Sequence, residues 1–400
     1  MARMSDSPGE EAIGVPARMA ALRMLDAVLN RGQTLDSAQS NYARGLPPED
    51  AGFALVMASE VLRWLVDLDA LIDGATAQPL PKDAKARSVL RLALVQIVRL
   101  ETPAHAAIAT ALPLVSGGPK RLVHGVFGAV TRSGKGLPAK PTLPENVAAR
   151  WGHWGFGALG EIAAALGEQP PVTITRKDGT SETLARGTRI AALPGYDEGA
   201  FWVQNLSAAL PARLLGAGEG RHVLDLCAAP GGKTMQLASA GWRVTAVDNS
   251  AKRMERLKEN LARTKLPAET IVADLRQWEP AEPADAILLD APCTATGTLA
   301  RHPDVIHRIG PKDIATLAEL QGQLLARAAG WLKPGGRLIY ATCSNEREEG
   351  EAIAANAALP VEPLQIALPD WVQTTPEGWL RILPKPGIDG FFIAPFRKPD

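Results

Sequence analysis

Three cysteines occur in the 400 residues, and two stand where an α/β sheet would place reactive groups. Cys293 lies in "LLDAPCTATGT" and Cys343 in "IYATCSNEREE", each just past a short apolar run of strand character. A lone cysteine is ordinarily a small buried hydrophobe. Two at separate strand ends, with Asp290 three residues ahead of the first, have the composition for nucleophilic chemistry. A thiolate adding to carbon 6 of a pyrimidine makes carbon 5 an enamine-like nucleophile. An acid or a second thiol must then assist at the ring and in releasing the adduct. These residue types fit that task without ranking the two thiols. Cys343 also stands between two hydroxyls and ahead of a segment read as a helix, whose amino end would favour a thiolate.

The third cysteine opens the loop of "LDLCAAPGGKT", Leu224 to Thr234. Its end imitates a phosphate-binding G-x-x-x-x-G-K-[ST] loop, but Cys227 stands where the first glycine belongs and Pro230 removes a backbone N–H. The dinucleotide pattern G-x-G-x-x-G is missing as well. What survives is a run of small residues before a helix, with Asp248 after the next strand at the distance of a ribose-binding acid. A ligand with an adenosine and no phosphate fits this combination, and S-adenosylmethionine is such a ligand. Asp274 after "TIVAD" and Asp290 after "DAILLD" add acids at two further strand ends.

These residues need a sheet to hold them. From residue 201 short apolar runs ("HVLDL", "RVTAVD", "TIVAD", "DAILLD", "GRLIYAT") alternate with helical stretches such as "SAKRMERLKENLART" and "PKDIATLAELQGQLLARAAGWL". The alternation predicts a mostly parallel, doubly wound sheet with ligands beyond its carboxyl ends. Residues 14–133 read as all helical, in "ARMAALRMLDAVLNRG", "GFALVMASEVLRWLVDLDALI" and "AKARSVLRLALVQIVRLE". A Gly, Pro and Lys-rich stretch over 134–146 reads as a linker, and 147–200 as a small α+β unit with a Trp-bearing helix and one strand. Residues 1–13 are expected to be flexible.

Lys plus Arg equals Asp plus Glu at 43 each, so global charge does not announce a nucleic-acid partner. No apolar run approaches the roughly 18 residues of a membrane span, and the polar, acidic start lacks a signal peptide's pattern. Three cysteines without paired spacing argue against disulfides and zinc and for a reducing cytoplasm. No metal and no membrane partner are expected, and a monomer is.

The motifs "CAAPGGKT", "DAPCTATGT" and "YATCSNEREE" resemble those of the RsmB/Sun family of RNA cytosine-5 methyltransferases. "LPGYDEGAFWVQNLSAALPARLL" is similar to that family's lead-in, "IDGFFIAPFRK" to its closing strands, and "LRLALVQIVRLETPAHAAIATALPLV" to a NusB-like RNA-binding domain. The resemblance implies an α/β Rossmann-like S-adenosylmethionine-dependent methyltransferase domain (201–400), preceded by an all-α NusB-like domain and a small α+β linking unit. It implies that Cys227, Ala228, Ala229, Pro230, Gly231, Gly232 and Lys233 line the cofactor site, with Asp248 at the ribose and Asp274 by the adenine. Asp290 would sit near the methyl donor and assist at the base. By resemblance alone Cys343 is the nucleophile and Cys293 resolves the adduct. The expected substrate is a cytosine of RNA, foremost 16S ribosomal RNA; the alternatives are a tRNA cytosine-5 methyltransferase and a non-catalytic RNA-binding assembly factor. Two departures stand out: "VQN" puts neutral Asn205 where an acid is common, and "DAPCTATGT" lacks a customary glycine after Cys293.

Overall fold

The apolar periodicity of the first third of the chain becomes helices in the computed structural model, which describes residues 14–185 and 187–400. The segment 1–13, expected to be flexible, lies outside the described residues. Residues up to Ala149 together with His302–Arg308 form one unit, and Arg150–Arg301 with Ile309–Asp400 form a second.

In the first unit, helices α1 (Val15–Arg31), α2 (Leu35–Tyr42), α3 (Pro48–Arg63), α4 (Leu65–Asp73), α5 (Lys85–Val98), α6 (Ala104–Ala111) and α7 (Gly118–Ser133) surround one apolar core. Leu22, Leu25 and Val28 of α1 meet Met57, Val61 and Leu62 of α3 and Leu90 and Leu94 of α5 there, all buried. The long helix expected from Gly52 onward is two helices, broken at Trp64, whose backbone leaves the helical region. Residues 134–144 carry neither helix nor strand. Within them Thr142 donates its N–H and hydroxyl to the two oxygens of Asp67, at 2.9 and 2.6 Å.

The boundary falls within α8 (Glu145–Trp151), and the second unit continues with α9 (Phe156–Gly167). The single Trp-bearing helix read from the sequence is therefore interrupted, by a 3-10 turn at Gly152–Trp154 between residues of low helix propensity. Three antiparallel strands follow in the order β2-β1-β3: β1 (Thr173–Arg176), β2 (Ser181–Thr183) and β3 (Phe201–Val203). After α10 (Leu206–Leu214), the chain winds the large sheet: β4 (His222–Leu226), α11 (Gly232–Ser239), β5 (Arg243–Asp248), α12 (Ala251–Thr264), β6 (Glu269–Val272) and β7 (Ala284–Asp290). The short α13 (Val305–Arg308) packs with the helical unit. Then come α14 (Pro311–Gly330), β8 (Leu332–Thr342), α15 (Glu351–Ala355), β9 (Gln373–Thr374), β10 (Leu380–Ile382) and β11 (Phe391–Arg397).

The eight strands run in the order β6-β5-β4-β7-β8-β11-β10-β9. The first five are mutually parallel, whereas β11, β10 and β9 pair antiparallel to their neighbours, an edge the helix–strand alternation did not announce. The fold is thus a Rossmann-like α/β unit preceded by an all-helical unit. The central strands are buried on both faces, so they read as continuous apolar runs, and the carboxyl ends of β4 through β8 share one rim. No described helix is long and apolar enough to cross a membrane.

His307 of α13 is a titrating group inside the helical unit. Its Nε2–H donates to the Leu62 carbonyl at 2.7 Å, and burial pushes its pKa down to about 4. The folded state holds it neutral while the unfolded chain protonates it near its ordinary value. Its contribution to stability is therefore complete above about pH 6.5 and is lost as pH falls toward 4. Thermal melting across that range should show wild type losing several degrees more than His307→Gln, whose amide keeps the hydrogen bond without the proton. Parallel curves for the two proteins would contradict this.

Candidate active site

The loop after β4 starts with Cys227 in a left-handed conformation (φ 61°) and ends at Gly231 (φ 103°), the residue before α11. A side chain at Gly231 would be strained by that φ, and its Cβ would meet Leu257 Cγ at 2.8 Å. Ala228 N–H donates to the Val247 carbonyl at 3.1 Å, and Ala229 N–H to Asp248 Oδ2 at 3.2 Å, so the loop is hung from the end of β5. Burial pushes the Cys227 thiol far up, which makes it a packing group and not a reactive one.

Beside this loop lies a cavity of about 410 Å³ lined by Cys227, Ala229, Asn249, Asp274, Pro292 and both rim thiols, among others. Each expected acid is found on the rim and each has a cation. Asp248 accepts from Arg253 at 2.9 Å, Asp274 from Arg276 at 2.6 Å and Asp290 from Lys233 at 2.7 Å. Hydrogen bonds from Arg276 hold the Asp274 carboxyl down to about 2. Small residues for close approach, acids at three successive strand ends and a helix start without a phosphate cradle fit a cationic, phosphate-free adenosine such as S-adenosylmethionine. A second cavity, of about 510 Å³, shares Ala229 and Asp290 with the first and is lined by Trp202, Gln204, Asn205, Asp225 and Lys233.

The thiols of Cys293 and Cys343 stand 3.5 Å apart and are not bonded to one another. Parallel pairing does this: Asp290 lies opposite Ala341, and Ala291 N–H donates to the Ala341 carbonyl at 2.9 Å, so the two loops leave side by side. Gly297 closes the first loop against the second, donating its N–H to the Cys343 carbonyl at 3.0 Å. A Cβ there would lie 2.3 Å from the Gly390 carbonyl oxygen, so only glycine fits.

The charges around the pair are uneven. The Lys233 ammonium interacts with Cys343 while paired to Asp290; burial pulls its pKa down, but these negative partners hold it above the ordinary lysine value. Cys293 instead has Cys343 and the carboxylate of Glu349 as neighbours. Its hydrogen bond to Cys343, burial and that charge push its thiol well up.

One expectation about Cys343 is corrected. No helix begins beside it: the chain passes through a 3-10 turn at Arg347–Glu349 before α15, so the positive neighbour is Lys233 rather than a helix amino end. Asn205 replaces an acid without loss, because its Oδ1 accepts from Ser207 N–H at 3.0 Å and caps α10 as aspartate would. Trp151 and Trp202 are buried, and both indole N–H groups are bonded, to Glu346 and Gln204. Arg301 and Arg308 are held by Asp389 and Asp304, and His302 lies 3.8 Å from Asp36. Asp225 escaped the sequence reading, hidden as one polar letter in "HVLDL". It is fully buried in β4, accepts from the Thr234 hydroxyl at 2.6 Å, and burial raises its pKa to about 7. Among the described residues no cluster of His, Cys, Asp or Glu could hold a metal.

A Rossmann-like sheet with a small-residue loop, strand-end acids and two thiols gathered on one rim is the arrangement of an S-adenosylmethionine-dependent methyltransferase. The family model described as 16S rRNA methyltransferase RsmB/F matches residues 212–397, and that of the NusB family matches 15–130. The chain is 33% identical to ribosomal RNA small subunit methyltransferase B of Pseudomonas putida, over 95% of this chain and 98% of that one. Identity to its namesake in Pseudomonas syringae pv. tomato is 34%, over 95% and 96%. Among solved structures, PH0851 superposes with a TM-score of 0.72 at 22% identity, covering 99% of this chain and 100% of that one, a likeness of fold. A methyltransferase homolog protein from Pyrococcus horikoshii gives a TM-score of 0.55 at 28% identity, over 63% of this chain and 94% of that one. The chain belongs to the RsmB/F methyltransferase family, and it is an S-adenosylmethionine-dependent RNA methyltransferase.

The missing glycine after Cys293 leaves a mark: Ala295 occupies its place with φ 57°. Left-handed backbone costs an L-residue about 1 kcal/mol. Ala295→Gly should therefore raise the melting temperature by about 2 °C. A lower melting temperature in calorimetry would mean that the loop does not carry this strain.

Proposed function

We propose that the enzyme methylates carbon 5 of a cytosine in 16S ribosomal RNA, with Cys343 as nucleophile. The observation that carries this reading is the thiol pair at 3.5 Å on the rim that also carries the Lys233–Asp290 ion pair. Bound S-adenosylmethionine supplies an electrophilic methyl group on its sulfonium. The Cys343 thiolate forms a bond to carbon 6 of the base, and the electron pair of the carbon 5–carbon 6 double bond takes up the methyl group at carbon 5, the sulfur–methyl bond breaking to leave S-adenosylhomocysteine. Asp290 and Lys233 hold the ring and meet the charge that develops on it. A base then removes the carbon 5 proton, the double bond re-forms, and the carbon 6–sulfur bond breaks. Cys293, still carrying its proton, hydrogen-bonds the departing Cys343 thiolate and so resolves the adduct. Cys227 through Lys233 would wall the bound cofactor, Asp248 would take its ribose hydroxyls and Asp274 would lie by its adenine. The cytosine must leave its stack to reach Cys343, which favours a loop or an unpaired stretch. The ribosomal target is supported by the names of the relatives that align along nearly the whole chain.

With S-adenosylmethionine and 16S rRNA, Cys343→Ala should lower methyl transfer by more than about a thousandfold while cofactor binding survives. Cys293→Ala should instead accumulate a protein–RNA adduct that survives denaturing electrophoresis. Methylation by the Cys343 variant at the wild-type rate would remove the nucleophile, and bisulfite mapping with no methylated cytosine in 16S rRNA would remove the substrate.

A further inference from the structure

Glu349 has no part in the chemistry above, yet its carboxylate lies between the loops that carry the thiols, with no solvent exposure. Thr294, next to Cys293, donates its N–H to one oxygen at 2.9 Å and its hydroxyl to the other. Ser344, next to Cys343, donates its hydroxyl at 2.5 Å. Gln321 of α14 adds its amide N–H at 3.0 Å, and its second contact, to the Pro292 carbonyl at 2.8 Å, braces the Cys293 loop. The Tyr340 hydroxyl fixes the backbone by donating to the Glu349 carbonyl at 2.7 Å. Four donors meet the roughly four lone-pair sites of an ionised carboxylate, and a neutral amide could not accept them all.

A brace of this kind could be neutral, and a buried charge is costly. The choice of an acid gains its meaning from what it faces. Two thiols 3.5 Å apart do not ionise independently, because a charge on one disfavours a charge on the other. Glu349 presents a negative charge to Cys293, and Lys233, held by Asp290, presents a positive one to Cys343. The remaining nearby charges are committed: Arg381 to Glu351 and the Ser344 carbonyl, and Glu346 to Arg150 and the Trp151 indole. We infer that Glu349 is the positioning residue of the thiol pair: its buried carboxylate ties the two thiol loops together and, by facing Cys293 with a negative charge, directs nucleophilic reactivity to Cys343. Burial lifts the Glu349 carboxyl above its ordinary value while its donors oppose that.

The proposal builds on the assignment of Cys343 as nucleophile, but its test needs no RNA. The full-length protein is treated with iodoacetamide from pH 6 to 9, and the peptides carrying Cys293 and Cys343 are quantified by mass spectrometry. Wild type should label at Cys343 first. In Glu349→Gln the ratio of Cys293 to Cys343 labelling should rise about tenfold. Glu349→Asp, which keeps the charge, should restore the wild-type order, and methyl transfer should follow the labelling order across the three proteins. Unchanged labelling in a folded Glu349→Gln, or Glu349→Asp behaving like it, would overturn the electrostatic role. Cys293 labelling first in wild type would do the same even where the variants do not fold. Failure of the nucleophile assignment shows separately, as an active Cys343→Ala enzyme.

Discussion

The parallel pairing of β7 with β8 sets everything the rim can do. Asp290 faces Ala341 across that ladder, and the hydrogen bond from Ala291 to the Ala341 carbonyl extends it one step past the last residue of β7. The two loops thus start level, and thiols fifty residues apart in sequence come to 3.5 Å. A slip of one residue in β8 would turn its alternating side chains to the opposite face and carry Cys343 away from Cys293. The contacts that guard this register are backbone or buried: Gly297 on the Cys343 carbonyl, Asn345 donating its N–H to the Thr296 hydroxyl at 3.0 Å, and the shared carboxylate of Glu349.

Each rim acid carries a cation, but the three pairs differ in kind. The side chain of Arg276 is more than half exposed and that of Asp274 about a third, so this pair contributes little; Arg253 is similarly exposed, but its partner Asp248 is fully buried. Lys233 is 11% exposed, and its ammonium also lies over the Phe391 ring, so it cannot leave Asp290 without losing a partner in a poorly solvated place. The Arg253 and Arg276 side chains can therefore move, whereas Lys233 is held against Asp290.

The parallel strands were legible because burial on both faces writes each as an unbroken apolar run, and the loops after them followed from the carboxyl-end rule. That is why Asp248, Asp274, Asp290, Cys293 and Cys343 could be placed on one rim from sequence. The antiparallel edge of β9, β10 and β11 was not legible, since its strands are two to seven residues long with no helices between them. By residue type the two thiols are equivalent, and only the resemblance ordered them. The charged groups near them come from elsewhere in the chain: Lys233 from the first turn of α11, and Glu349 from among several acids in "NEREEGE". Nothing in that string marks which glutamate turns inward. The inward turn belongs to the 3-10 segment that replaced the expected helix.

Asp225 bears on the same lysine. A carboxyl buried in the middle of a sheet weakens the fold, and here burial outweighs its hydrogen bond to Thr234 enough to raise its pKa to about 7. Thr234 and Lys233 are neighbours in the first turn of α11, so gripping the threonine from below sets the direction in which the lysine leaves the helix. Lys233 in turn has acids on two sides, Asp225 beneath and Asp290 across. The two buried acids therefore brace two sides of one rim: Asp225 grips the first turn of α11 that carries Lys233, and Glu349 ties together the loops that carry the thiols. The stability lost in burying them is the cost of fixing those elements in place.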